Sequence, residues 1–79
     1  MIFVESNSDG IVDIAFDQEG LEDLKRILAQ LEKKPDHTHL FTPAWAGYEL
    51  TEDEPSPGYF LVHKLTLRHV ETPSKLNES

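Results

Sequence analysis

Between Asp17 and Pro35 the apolar residues fall at Leu21, Leu24, Ile27, Leu28 and Leu31. Steps of three and four place all five on one stripe of an α-helix. Nothing else in the sequence constrains the fold as tightly. A one-sided helix must bury its stripe on another element, and the flanking segments are short and rich in β-branched and aromatic residues, so that element is a sheet. Asp17 suits the N-cap, and Glu19, Glu22 and Asp23 sit near the positive end of the helix dipole. Lys33 and Lys34 suit the negative end, and Pro35 stops the helix. The spacing predicts a helix over 18–33 with its leucine stripe in the core. Glu22 and Arg26, four apart, would pair on the exposed side.

Ile2 to Glu5 reads as a strand, and Asn7-Ser8-Asp9-Gly10 carries the Asp-Gly signal of a hairpin. Ile11 to Phe16 then returns, with Val12, Ile14 and Phe16 expected on a buried face and Asp13 on a wet one. Glu5 and Asp13 would face one another as solvated neighbours. His37 to Thr42 reads as a third strand and Tyr48 to Thr51 as a short fourth. Glu52 to Gly58, acidic and holding Pro55 and Pro57, reads as a solvated loop. Tyr59 to Val70 reads as one long fifth strand, with Leu61, Leu65 and Leu67 on one face. Phe3, Phe16 and Phe60 are expected in the core.

Counting strand directions, the second and third strands run the same way, so the first lies between them. The expected fold is α+β: an antiparallel sheet of four to five strands, order 2-1-3 and then a meander. One helix packs on one face, and the other face stays open. Residues 1–71 form a single domain, followed by a flexible tail over 72–79.

Seventy-nine residues supply one core, burying only ~60% of the surface the unfolded chain exposes. The chain has no cysteine, which fits a reducing cytoplasm. Its first residues turn acidic too soon for a signal peptide, and no apolar run approaches the ~20 residues that span a bilayer. The net charge of −8 is uneven. Residues 1–24 hold Glu5, Asp9, Asp13, Asp17, Glu19, Glu22 and Asp23 without a single Lys or Arg. Glu49, Glu52, Asp53 and Glu54 make a second cluster. Such acidity serves solubility, or it steers the chain toward a basic partner. It disfavours nucleic acid and anionic membranes, since no basic patch answers their phosphates.

Catalytic signals are missing. There is no cysteine nucleophile, no phosphate-binding glycine loop and no G-x-S-x-G elbow. His37 and His39 project from one strand face, and His63 and His69 share a face of the fifth strand. If the strands lay close, His39 and His63 would converge toward a zinc-like set. Imidazoles along a wet face are commonplace, however, so no metal or other cofactor is assigned and the chain is not expected to be an enzyme. Trp45 and Tyr48 flank Gly47 on a loop and run into the second acidic cluster. Either Trp45 folds back over the core, or Trp45, Tyr48, Glu49, Glu52, Asp53 and Glu54 together form a partner-binding surface.

An amphipathic helix, then His37-Thr38-His39-Leu40, then Gly47-Tyr48-Glu49-Leu50-Thr51, then a long apolar strand resembles a family of small bacterial immunity proteins. It is the family numbered thirty-two among the immunity proteins of polymorphic-toxin systems, and the resemblance covers roughly residues 10–70. His39-Leu40 enters it as a strand marker and not as a catalytic residue. The resemblance implies a cytoplasmic protein that binds a cognate toxin and inhibits it by masking its active or substrate-binding surface. Were that toxin a nuclease, its basic site would meet an acidic competitor. The alternatives are a small non-catalytic interaction module, a structural domain that homodimerises through an open sheet face or edge, and a His-bound metal protein.

Overall fold

The computed structural model describes residues 1–70, so the tail expected over 72–79 lies outside the described residues. The order of elements is β1 (Ile2–Ser6), β2 (Val12–Phe16), α1 (Gln18–Glu32), β3 (His37–Phe41), a 3-10 turn (Pro43–Trp45), β4 (Phe60–Leu61) and β5 (Lys64–Arg68). The fold is α+β with one helix and antiparallel strand pairing. It is not one sheet in the order 2-1-3. Two small sheets form instead, β2-β1-β4 and β3-β5.

The expected fifth strand is the reason. It breaks at Val62-His63, where Val62 N–H donates to Val4 C=O (2.9 Å) and Thr42 N–H donates to His63 C=O (3.0 Å). One segment therefore leaves β1 and joins β3. The break also shifts the side-chain alternation by one residue, so that Val62, Leu65 and Leu67 all pack on the core. Leu61, expected beside Leu65 and Leu67, lies opposite Glu5. The expected fourth strand, Tyr48–Thr51, is a bend rather than a strand. Its end still stitches the sheets together: Leu50 N–H donates to Phe41 C=O (3.0 Å) and Thr51 N–H to Ile2 C=O (2.8 Å).

The first hairpin forms as its turn chemistry predicts. Asn7 Oδ1 accepts from the N–H groups of Asp9 and Ile11 (both 3.0 Å), and Gly10 takes φ 85°, open to glycine at no steric cost. Glu5 and Asp13 do stand opposite one another. Glu5 is not solvated, however: it is 5% exposed, and its carboxylate accepts from Ser56 N–H (2.8 Å) and Ser56 Oγ–H (3.0 Å). Those bonds offset the desolvation of a buried charge and bind the acidic loop to the sheet.

Asp17 caps the helix, accepting from Gly20 N–H at 2.8 Å. It also pairs with the Met1 ammonium, and that bond first, then the Gly20 N–H, holds its carboxyl below the ordinary 3.8. Arg26 pairs with Asp23 (3.0 Å) rather than with Glu22, which accepts from Gln18 (3.2 Å).

The core consists of Ile2, Val4, Leu40 and Leu50, with Leu24, Ile27, Val62, Leu65 and Leu67 packed against it. The helical stripe is less buried than its periodicity predicts. Only Leu31 is buried; Leu21, Leu24 and Ile27 are half-buried and Leu28 is exposed. The helix starts over the beginning of β1, where Gly20 sits against the Met1 carbonyl, and ends at β5, where the His69 ring donates to Leu31 C=O. It leaves β2 only partly covered. Val12, Ile14 and Phe16 share the face of Ile2 and Val4, yet remain 57%, 44% and 46% exposed. Phe60 is exposed too and Phe3 half-buried, so of the three phenylalanines expected inside, none is fully buried. Among the described residues no helix is long and apolar enough to cross a membrane.

Candidate protein-binding surface

On β3 the two-residue period places His37, His39 and Phe41 on one face, and the register sets Arg68, Thr66 and Lys64 directly opposite them. The rings form a row. His37 and His39 lie 5.0 Å apart edge-on, and His39 and Phe41 6.0 Å apart. Trp45 stacks near-parallel on Phe41 (6.4 Å, 11°) and on His63 (6.3 Å, 15°). The Lys64 ammonium stands 6.0 Å from the Phe41 ring, a cation–π distance.

The loop after β3 is built by hydrogen bonds to its own backbone. Thr42 C=O accepts from Trp45 N–H (2.9 Å) and Gly47 N–H (3.0 Å), and Ala46 closes the 3-10 turn at φ 64°. The Thr42 side chain is buried and its hydroxyl bonds His63 Nδ1 at 2.6 Å. Glu49 Oε1 accepts from Phe41 N–H (3.0 Å). Glu52 Oε2 accepts from Ala44 N–H (2.7 Å) and lies 3.8 Å from His63 Nδ1. Gly47 touches Phe41 so closely that a Cβ there would stand 2.6 Å from the Phe41 carbonyl oxygen.

The six residues singled out by sequence therefore divide by role. Trp45 is 57% exposed and Tyr48 88%. Trp45 does not fold over the core; it stacks near-parallel with Phe41 and His63 and stays more than half exposed. Glu49 and Glu52 are spent on backbone N–H groups and hold the loop, whereas Asp53 and Glu54 are exposed and make no side-chain bond among the described residues. Sequence reasoning passed over Phe41, Lys64 and Arg68, and weighed His63 as a metal ligand. The signal for the first was present: His37-x-His39-x-Phe41 is a ring at every second position of a strand.

The histidines do not converge. His39 Nδ1 bonds Thr66 Oγ1 (2.8 Å), His63 bonds Thr42, and His69 bonds Leu31. His63 and His69 flank the two ends of β5, where one ring bonds Thr42 and the other Leu31 C=O, so they do not meet. Among the described residues no group of three His, Asp or Glu side chains is placed to hold a metal ion.

The His39 imidazole is pulled below its ordinary 6.5 by partial burial first, then by Lys64, His37 and Arg68. A base with a depressed folded-state pKa contributes stability that is present above 6.5 and is lost as pH falls through the lower, folded value. In an NMR titration His39 should therefore reach its midpoint below 6.5, and Lys64→Ala should move that midpoint upward. An unmoved midpoint would remove Lys64 from the causes.

No protein-family model, curated protein or solved structure matches this chain.

Proposed function

We propose that this chain is a non-catalytic protein-binding domain whose interface is the loop 42–54, and that, on its resemblance to immunity proteins, the partner is a toxin. The observation that carries the proposal is the pair Trp45 and Tyr48. Both rings face solvent on a loop whose backbone is fixed by Thr42, Glu49 and Glu52. A preorganised aromatic pair gives affinity without a large ordering cost. Asp53 and Glu54, with the −8 net charge behind them, raise the encounter rate with a basic surface. A toxin bound here would have its active or substrate-binding surface masked.

Catalysis finds little support at this place. Thr42, His63 and Glu52 resemble a hydrolytic triad in residue type, but Thr42 is fully buried. Both partners also address the same ring nitrogen, Nδ1, so no relay runs through the imidazole.

The test is co-purification with the product of the adjacent toxin gene, followed by binding kinetics. Reversing Asp53 and Glu54 to Lys should slow association by up to about tenfold at low salt and flatten its salt dependence. Glu52 is left alone because it holds Ala44 N–H. Absence of binding, or association unchanged at low salt, would overturn the assignment.

A further inference from the structure

Among the described residues β2 is an edge strand of its sheet. In the first hairpin Asn7 N–H donates to Ile11 C=O (3.1 Å) and Asp17 N–H to Met1 C=O (3.2 Å), at the two ends of one ladder. Alternation along that ladder makes Glu5–Asp13 and Phe3–Ala15 the hydrogen-bonded pairs. The N–H and C=O groups of Val12, Ile14 and Phe16 consequently point away from β1, toward the edge where β2 has no neighbour among the described residues. Their side chains are exposed, like the rest of the strand, and Phe60 extends the apolar surface beside Val12 across Ser6. Soluble proteins blunt such edges with Lys, Pro, a bulge or a covering element. Among the described residues β2 has no Lys, Pro, bulge or second strand at this edge: it reads Val-Asp-Ile-Ala-Phe with Asp13 as its one charge, and the helix leaves Val12, Ile14 and Phe16 57%, 44% and 46% exposed.

We infer that β2 pairs antiparallel with β2 of a second copy of this chain, about a two-fold axis at Ile14. The register supports a second copy over an unrelated strand because the edge is self-complementary. An axis at Ile14 sets Ile14 against Ile14′, Val12 against Phe16′ and Phe16 against Val12′. In each pair the outward groups meet and both backbone bonds form. The one charged side chain of the strand, Asp13, falls opposite Ala15′ rather than its own copy. An axis at Asp13 would also let outward groups meet, pairing Val12 with Ile14′, but it would set Asp13 directly against Asp13′, two like charges opposed across the interface. The product is one continuous sheet, β4-β1-β2-β2′-β1′-β4′, with the apolar rows abutting on one face, an isologous dimer. This edge is separate from loop 42–54, so dimerisation and toxin binding stand or fall independently.

Sedimentation equilibrium on the full chain should give twice the 9.0 kDa chain mass at high protein concentration. Each copy carries −8, so added salt should raise the dimer fraction. Ile14→Lys should leave a folded monomer and abolish the dimer. The register has its own readout, because the chain has no cysteine. Hydrogen-bonded cross-strand residues have Cα atoms ~5.5 Å apart, within disulfide reach. Under mild oxidation Ile14→Cys should give a covalent dimer. Val12→Cys and Phe16→Cys should each form no covalent crosslink alone and crosslink when mixed. A chain that is monomeric at every concentration and salt overturns the inference, as does a dimer that Ile14→Lys leaves intact. Self-crosslinking of Val12→Cys in place of Ile14→Cys overturns the axis.

Discussion

Leu50→Ala should cost about 2–5 kcal/mol, enough to leave a chain of this size largely unfolded at moderate urea. Leu50 is 2% exposed and packs with Ile2, Val4 and Leu40. It stands where the two sheets meet, its own N–H bonded to Phe41 and that of Thr51 to Ile2. Truncating it opens a cavity at the junction, and neither small sheet is wide enough to close over the gap. The whole stability of such a domain is on the order of 5–15 kcal/mol, and a short chain sits low in that range. Urea unfolding followed by circular dichroism checks it through a lowered midpoint at unchanged slope. Leu28→Ala is the control. Its side chain is exposed, so its loss should cost about 0.5 kcal/mol or less. If the two variants lose equal stability, the helical stripe carries the core and the junction does not.

What could be read from the sequence was local. Asp17, the i, i+3, i+4 stripe and Pro35 define α1 without reference to the rest of the chain, and Asp9-Gly10 defines the hairpin. Apart from Arg26 choosing Asp23 over Glu22, the misreadings were matters of distant pairing. A two-residue period shows that Val12, Ile14 and Phe16 share a face; it does not show that the helix leaves that face half uncovered. A run of apolar residues from Tyr59 onward reads as one strand, because the break at Val62-His63 is set by competition between β1 and β3 for the same segment. Direction counting assumed one sheet, and so placed β1 beside β3 when the segment carrying β4 and β5 lies between them. Likewise the acidic cluster at 49–54 looked uniform. Only the fold shows Glu49 and Glu52 turned inward to backbone N–H groups while Asp53 and Glu54 stay exposed.

Trp45→Ala should weaken toxin binding by about 2 kcal/mol or more, expressed as faster dissociation, while leaving stability almost unchanged. The separation follows from where the ring sits. More than half of it faces solvent, and it lies on Phe41 and His63 rather than under the helix, so its removal opens no core cavity. What is lost is a flat aromatic anchor held in place by its two neighbours. Gly47→Ala should behave differently. A Cβ there collides with the Phe41 backbone, so the turn must shift and stability falls by about 1–3 kcal/mol along with binding. Reversing Asp53 and Glu54 should change association and spare dissociation. Three variants within one loop thus give three signatures: dissociation alone, stability with binding, and association alone. If Trp45→Ala leaves dissociation unchanged in a folded protein that still binds the toxin, the interface lies elsewhere. The ring stack would then be part of how the β3–β5 sheet ends, and not a means of holding a partner.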